Sequence, residues 1–416
     1  MIRLIFKNLW TRKKRNGWLL AELVAVSIIL WHFADPLTVQ TYIDSLPDGY
    51  EKDGLYRISF SAYPSSSSLY NEEAEQIESQ RSNMWRLLEQ VRRYPGVESA
   101  TFQSGGNGPG GTVWWIGGYN FKDSTMTSAF DVRYVPQSDY FKTYGFKSAG
   151  GPSIAEIDSM GFRDNERIMT EGALDDGPVL GRTYTRPWST KKKIIATVQP
   201  VKIRPDHAPQ HVMFQPVHAE NSAIVFRLRN GIDEDDFLSD FRPWAQKTLK
   251  AGNFFVVDVT SYNVYIKRTK VWTDYDYRIN MILMSFFLFC LFFGVSGAFW
   301  MQTRSRCEEI GIMKSFGATS DKVIRLFLTE GLILTTVAVL AGSLIYMQYA
   351  LHEGLFIPER FNQGDLVYYW YESFKVHFAV IMAIVWLLTA FVVSIGISIP
   401  AWGISRMAPT EALHEE

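Results

Sequence analysis

Cysteine is almost missing from this chain: there are two in 416 residues, Cys290 and Cys307. Neither falls in the long polar stretch of residues 37–278, so that stretch must be held by its apolar core and not by disulfides. Several chemistries are missing as well. There is no G-x-x-x-x-G-K-[ST], which excludes a P-loop, and no G-x-S-x-G or H-E-x-x-H. The run Gly105-Gly106-Asn107-Gly108-Pro109-Gly110-Gly111 lacks the lysine and the following helix of a phosphate cradle, and reads as a flexible loop. No catalytic, cofactor-binding or metal-binding residues are expected, and no nucleic-acid partner.

A net charge of -1 and 20% charged residues would suit a soluble protein, but the apolar residues are concentrated. They form four candidate spans, residues 17–36, 279–301, 326–351 and 377–399, each long enough to cross a ~30 Å hydrocarbon core as a helix. Basic residues cluster before the first span (Arg3, Lys7, Arg12, Lys13, Lys14, Arg15), between the second and third (Arg304, Arg306, Lys314, Lys322, Arg325) and after the fourth (Arg406). With four spans all three regions share one side. That side is expected to be cytoplasmic, with both termini in it. Residues 37–278 and 352–376 would then be extracytoplasmic. No A-x-A-like site follows the first span, so it is expected to be a retained anchor and not a cleaved signal peptide.

Charges inside the spans are few: Glu22, Glu330 and the terminal His32 and His377, with Asp35 in the stretch that closes the first span. Both glutamate carboxylates are expected about one turn from the cytoplasmic end, where they can snorkel or cap neighbouring helices. No ion pathway is visible, which disfavours a secondary transporter. Four spans are too few to enclose a polar route, which points to an oligomer.

The first segment, residues 1–16, places Ile2, Ile5, Phe6, Leu9 and Trp10 on one helical face beside basic residues, the pattern of an amphipathic helix on the inner leaflet. In residues 37–278, strand–helix–strand patterns occur twice, at about 55–103 and 223–260, with Asp233 as an N-cap. The two units are expected to build one α/β subdomain, with residues 104–222 as an inserted, β-rich one. His207, His211 and His218 lie among Pro205, Pro209 and Pro216, which argues against a helix; solvated loop histidines are expected there, not a metal site.

Residues 302–325 form a charged hairpin. Glu308 to Phe316 reads as a short helix with Ile310, Met313 and Phe316 apolar, followed by a break at Gly317-Ala318-Thr319-Ser320-Asp321. The stretch CEEIGIMKSFGATSDKVIRLFLTEG resembles the signature of MacB/FtsX-like ABC transporter permeases at Arg306, Glu309, Ile310, Gly311, Lys314, Gly317, Ala318, Phe327 and Glu330. The tail, residues 400–416, is similar to the family's C-terminal motif at Pro400, Arg406, Pro409, Glu411, Ala412 and Leu413. The segment from Asp139 to Phe146 is similar to a d-Y-F-x-x-x-G segment of the family's periplasmic domain.

The resemblance implies a membrane protein with four transmembrane α-helices and a large, MacB-like α/β extracytoplasmic domain between helices 1 and 2. It implies a dimer in the inner membrane that recruits a separate cytoplasmic ABC ATPase through Arg306, Glu308, Glu309, Ile310, Gly311, Lys314 and Gly317. ATP and Mg would be bound by that partner, and closure of the ATPase relayed to the extracytoplasmic domain by mechanotransmission. Further implied partners are a second permease chain, the lipid bilayer, and a periplasmic adaptor or outer-membrane component. The alternative is an FtsX-like regulator that activates an extracytoplasmic partner without moving cargo.

Overall fold

The computed structural model describes residues 13–104, 107–111, 115–121, 126–174, 177–186, 190–304, 306–358 and 369–406. Along the chain, α1 (Lys13–Ser45) leads to β1 (Leu55–Ala62), α2 (Ile77–Arg92) and β2 (Val97–Ser104). Then come β3 (Trp115–Phe121), β4 (Met126–Tyr134), α3 (Tyr140–Tyr144), β5 (Ser148–Gly150), α4 (Ile154–Ser159), β6 (Glu166–Thr170), β7 (Thr183–Thr185), β8 (Lys192–Val198) and β9 (Val212–Pro216). A second strand–helix set follows: β10 (Ser222–Leu228), α5 (Glu234–Thr248), β11 (Lys250–Ala251), β12 (Phe254–Ser261) and α6 (Tyr262–Thr269). The chain ends in helices α7 (Val271–Arg304), α8 (Cys307–Ser315), α9 (Ser320–Glu353) and α10 (Phe374–Ser405). Residues 1–12 of the expected amphipathic helix lie outside the described residues.

The chain divides into two compact units. One comprises residues 42–273 and 358–368. Its five-stranded sheet has the order β11-β12-β1-β10-β2. β1 runs antiparallel to both β10 and β12, and β10 antiparallel to β2. Each strand–helix–strand set is therefore split by a strand of the other, and the two sets interlock. Helices α2 and α5 cover one face, where Leu87, Leu88, Phe237 and Phe241 pack on Phe102, Ile224 and Phe226. Val225 and Leu55 point into a second core on the other face. Burial on both faces accounts for the nearly continuous apolar run of β10.

The inserted subdomain is a seven-stranded mixed sheet, β5-β8-β6-β9-β4-β3-β7, in which β7 also pairs with β8 and so closes the sheet on itself. Its core holds Tyr140, Phe141, Tyr144 and Phe146, all from the Asp139–Phe146 segment, against Phe130, Val132 and Phe214. Gly145, at φ 68°, ends α3 in the left-handed region, where a side chain would also strike Glu51.

Two expectations fail in this unit. Residues 107–111 of the glycine run are buried and fixed: the Tyr262 hydroxyl donates to Pro109 O, and a Cβ on Gly110 would meet Ile266 at 2.7 Å. Gly105 and Gly106 lie outside the described residues. His207 and His211 are buried rather than solvated, with His207 Nδ1 3.0 Å from Asp206 Oδ1. Only His218 is exposed, stacked on Phe162. The prolines prevent a helix there, but a loop can still be packed into a core.

The other unit comprises residues 1–41, 274–357 and 369–416. Among the described residues, four helices are long and apolar enough to cross a membrane: Gly17–Ser45, Thr273–Arg304, Ser320–Glu353 and Phe374–Ser405. All four outrun the apolar stretches at residues 17–36, 279–301, 326–351 and 377–399, because a helix does not stop where hydrophobicity does. Pro36, expected to close the first span, sits inside α1. An interior proline costs ~3 kcal/mol, and burial of Leu37, Val39 and Ile43 just beyond it offsets that cost.

The helices approach closely at glycines. A Cβ on Gly342 of α9 would lie 1.9 Å from Ser27 Oγ of α1, and one on Gly331 would lie 2.0 Å from Ile397 Cδ1 of α10. One turn from the first contact, Trp31 Nε1 donates to Ser343 Oγ at 2.9 Å. Glu22 is half-buried, with its carboxylate over Gly294 of α7, ~15 Å along that helix from Arg304. His377 is not simply terminal either. Its Nε2 is 2.6 Å from Asp35 Oδ1, its Nδ1 is 2.8 Å from Tyr371 O, and Asp35 Oδ2 accepts the Phe356 N–H.

Gly342→Ala is expected to lower the thermal midpoint of the detergent-solubilised protein, at an overpacking cost of about 1–3 kcal/mol. Removing the opposing hydroxyl with Ser27→Ala in the same chain should restore part of that loss. An unchanged midpoint in Gly342→Ala would show that α1 and α9 do not meet this closely.

Candidate functional site

The hairpin between α7 and α9 is built around one buried charge. Arg306 stands between the two helices at the N-cap position of α8 and is only 4% exposed. Its Nη1 donates to Glu330 Oε2 at 2.6 Å, and the Glu330 side chain is 2% exposed. The guanidinium carbon lies 5.5 Å from the Phe327 ring centroid, one turn back along α9. This corrects one expectation: the Glu330 carboxylate is turned to Arg306 between the helices and does not reach out to water. The pair neutralises both charges, while Arg306 Nε and Nη2 and Glu330 Oε1 stay buried without a hydrogen-bond partner among the described residues; a count of charges near span ends does not consider such a pairing.

Helix α8 then packs one side and shows the other. Cys307, Ile310 and Gly311 are buried, and Met313 leans on the same core of Phe299, Val323, Phe327, Ile397 and Ile404. Gly311 costs ~1 kcal/mol against alanine inside a helix, but it sits on the buried face. Glu308, Glu309, Ile312, Ser315 and Phe316 are exposed, and Lys314 is half-buried. Phe316 was expected on the apolar face with Ile310 and Met313. It is instead 88% exposed, because it caps the helix where the chain turns away.

Gly317 makes that turn. It adopts φ 86°; its N–H donates to Lys314 O at 2.9 Å, and the N–H of Ala318 reaches Met313 O at 3.0 Å. These two bonds form a Schellman closure, which satisfies the last carbonyls of α8 and favours glycine at the left-handed position. Thr319 caps α9 without a side-chain bond. The next residue, Ser320, donates from Oγ to Ser405 O at 2.5 Å, tying the start of α9 to the end of α10.

Of the C-terminal motif, Pro400 is buried inside α10. Arg406 ends that helix with its guanidinium carbon 4.0 Å from the Trp402 ring centroid. Pro409 and Glu411 lie outside the described residues, as do Ala412 and Leu413. The structure thus brings Arg306, Ile310, Gly311 and Glu330 together inside, and leaves Glu308 and Glu309 on the surface. Among the described residues no group of His, Cys, Asp or Glu is placed to hold a metal.

Glu330→Ala leaves the buried Arg306 without its counter-ion, and the expected cost is about 3–5 kcal/mol. The double variant Arg306→Met with Glu330→Leu is expected to recover most of that stability. Thermal unfolding in detergent checks both. Equal losses in the single and double variants would mean that the pair is not coupled.

Comparison with known proteins bears on this region directly. Residues 281–409, from α7 through the hairpin and beyond α10, match the family model described as FtsX-like permease C-terminal. Among solved structures, the chain is similar to a domain assigned to a permease of Porphyromonas gingivalis. The identity is 14% over 51% of this chain and 92% of that one, with a TM-score of 0.30. It is also similar to the periplasmic region of MacB from Actinobacillus actinomycetemcomitans, at 14% identity over 53% and 94% of the two chains and a TM-score of 0.33. No curated protein matches the chain. The segment that carries the hairpin, in the last third of a chain with four helices apolar enough to cross a membrane among its described residues, thus resembles the C-terminal domain of FtsX-like permeases.

Proposed function

We propose that the chain is the permease subunit of an ABC-type exporter or extrusion complex, driven by an ATPase on a separate polypeptide. It lies in the inner membrane as a dimer, with both termini and the hairpin on the cytoplasmic side, where the basic residues cluster. ATP and Mg are bound by the partner. Closing of the ATPase subunits pulls on α8, and the helices relay that motion to the extracytoplasmic domain.

The observation that carries this reading is the surface of α8. A helix fixed from inside by Ile310, Cys307 and the Arg306–Glu330 pair presents Glu308 and Glu309 beside a bare Phe316 and a half-bare Ile312. A large exposed aromatic flanked by charge is the composition of a binding hot spot. Rigid mounting on two long helices is what force transmission requires.

Glu309→Lys and Phe316→Glu, made separately, are expected to reduce copurification of the ATPase in mild detergent by about thirtyfold, the ~2 kcal/mol of a hot-spot residue. Insertion and thermal midpoint should stay at the parent values. Normal ATPase association in both variants would sink the proposed contact.

A further inference from the structure

Beside the hairpin, at the end of the helices where the apolar runs give way to arginine, a cavity of about 150 Å3 opens between α7 and α10. Trp300, Arg304 and Cys307 form one wall, and Pro400, Gly403 and Ile404 of α10 the other. We propose that this cavity binds the headgroup region of an anionic phospholipid, with the phosphate on Arg304 and the glycerol end of the acyl chains against Trp300, Pro400 and Ile404. The proposal rests on the four helices crossing a membrane, not on the ABC assignment.

Three observations select this ligand. The first is charge. Arg304 is exposed and no carboxylate lies within ion-pairing distance of it among the described residues; the same holds for Arg406, at the end of α10. Glu308, the nearest acid along the chain after Cys307, is not in the cavity wall. Two arginines at the foot of apolar helices, neither paired with a described carboxylate, attract anionic lipid.

The second is depth. Each arginine lies over a tryptophan, Arg304 at 5.8 Å from the Trp300 ring centroid and Arg406 at 4.0 Å from that of Trp402. Both rings are about half exposed, at 50% and 55%. Half-exposed tryptophans next to arginine mark the headgroup level of a bilayer. The third is size and lining. The walls are chiefly apolar, and a Cβ on Gly403 would meet nothing within 4 Å. The space is well below the ~300–1,000 Å3 of pockets that enclose whole soluble ligands. It suits a phosphate and a glycerol backbone whose chains continue into the membrane.

Cys307 gives a direct readout, because it lines the cavity and begins α8. The other cysteine, Cys290, is exposed on α7 and is removed by Cys290→Ala. The full-length Cys290→Ala protein is placed in phosphatidylcholine nanodiscs with or without phosphatidylglycerol. Alkylation of Cys307 by neutral N-ethylmaleimide is then timed. Phosphatidylglycerol is expected to slow the reaction at least about fivefold, the share of one arginine near an anionic surface. Arg304→Gln should abolish that ratio, and Arg304→Lys should keep part of it.

Native mass spectrometry of the detergent-extracted protein should show bound phosphatidylglycerol that is lost in Arg304→Gln and in the cavity-filling Gly403→Leu. Equal alkylation rates in the two lipids would mean that the cavity holds only water, and would overturn the proposal. So would protection that persists in Arg304→Gln, which would assign it to general surface charge. Labelling too slow to time in both lipids would overturn it too, since the cavity would then not admit even a small reagent.

Discussion

The hairpin depends on one buried charge pair. Arg306 breaks the chain between α7 and α8, and its position is fixed by Glu330, which lies well inside α9. A lone buried guanidinium would cost several kcal/mol, so α8 cannot leave α9 without a large penalty. Packing of Ile310 and Phe327 in the same core adds to this. The Schellman closure at Gly317 and the Ser320–Ser405 bond fix the two ends of the turn. The outer surface of α8 carries the exposed Glu308, Glu309 and Phe316.

The same logic runs through the rest of the membrane unit. Where helices meet they do so at Gly342, Gly331 and Gly294, with no room for a Cβ. Their polar side chains are paired rather than pointed outward, as in Trp31 with Ser343 and Asp35 with His377. Apolar side chains gain little by turning from lipid to a neighbouring helix, so close backbone approach and buried polar pairs are the available sources of specificity. The unit of residues 42–273 is held differently. There two interlocked strand–helix sets and a closed mixed sheet bury aromatic residues on both faces of β10.

Much of this was legible in the sequence. Four spans follow from apolarity alone, and the two strand–helix patterns follow from alternation and capping. The hairpin was marked by its charges and by glycine at the break. What the sequence hid was partnership. Arg306 and Glu330 both stand in the recognised signature, but nothing in a linear reading pairs a residue before α8 with one inside α9. The interleaving of β1 and β10 is equally invisible, since strand order is set by long-range register and not by local pattern. Helix ends were misjudged because apolarity was used as the ruler, and α1 continues through Pro36. Phe316 was assigned inward by helical spacing, which fails at a C-cap. The buried histidines show the converse error, in which a proline-rich loop was taken as exposed although loops too can be packed.

The central claim is that α8 and α9 move as one body because the buried pair joins them. It is tested most directly by the distance between spin labels at Ser315 and Thr329, measured by pulsed electron resonance in the complex with the proposed ATPase partner. The account predicts one narrow distribution, the same with and without ATP, that broadens in Glu330→Gln. A distance that changes on ATP binding while the pair is intact would contradict it.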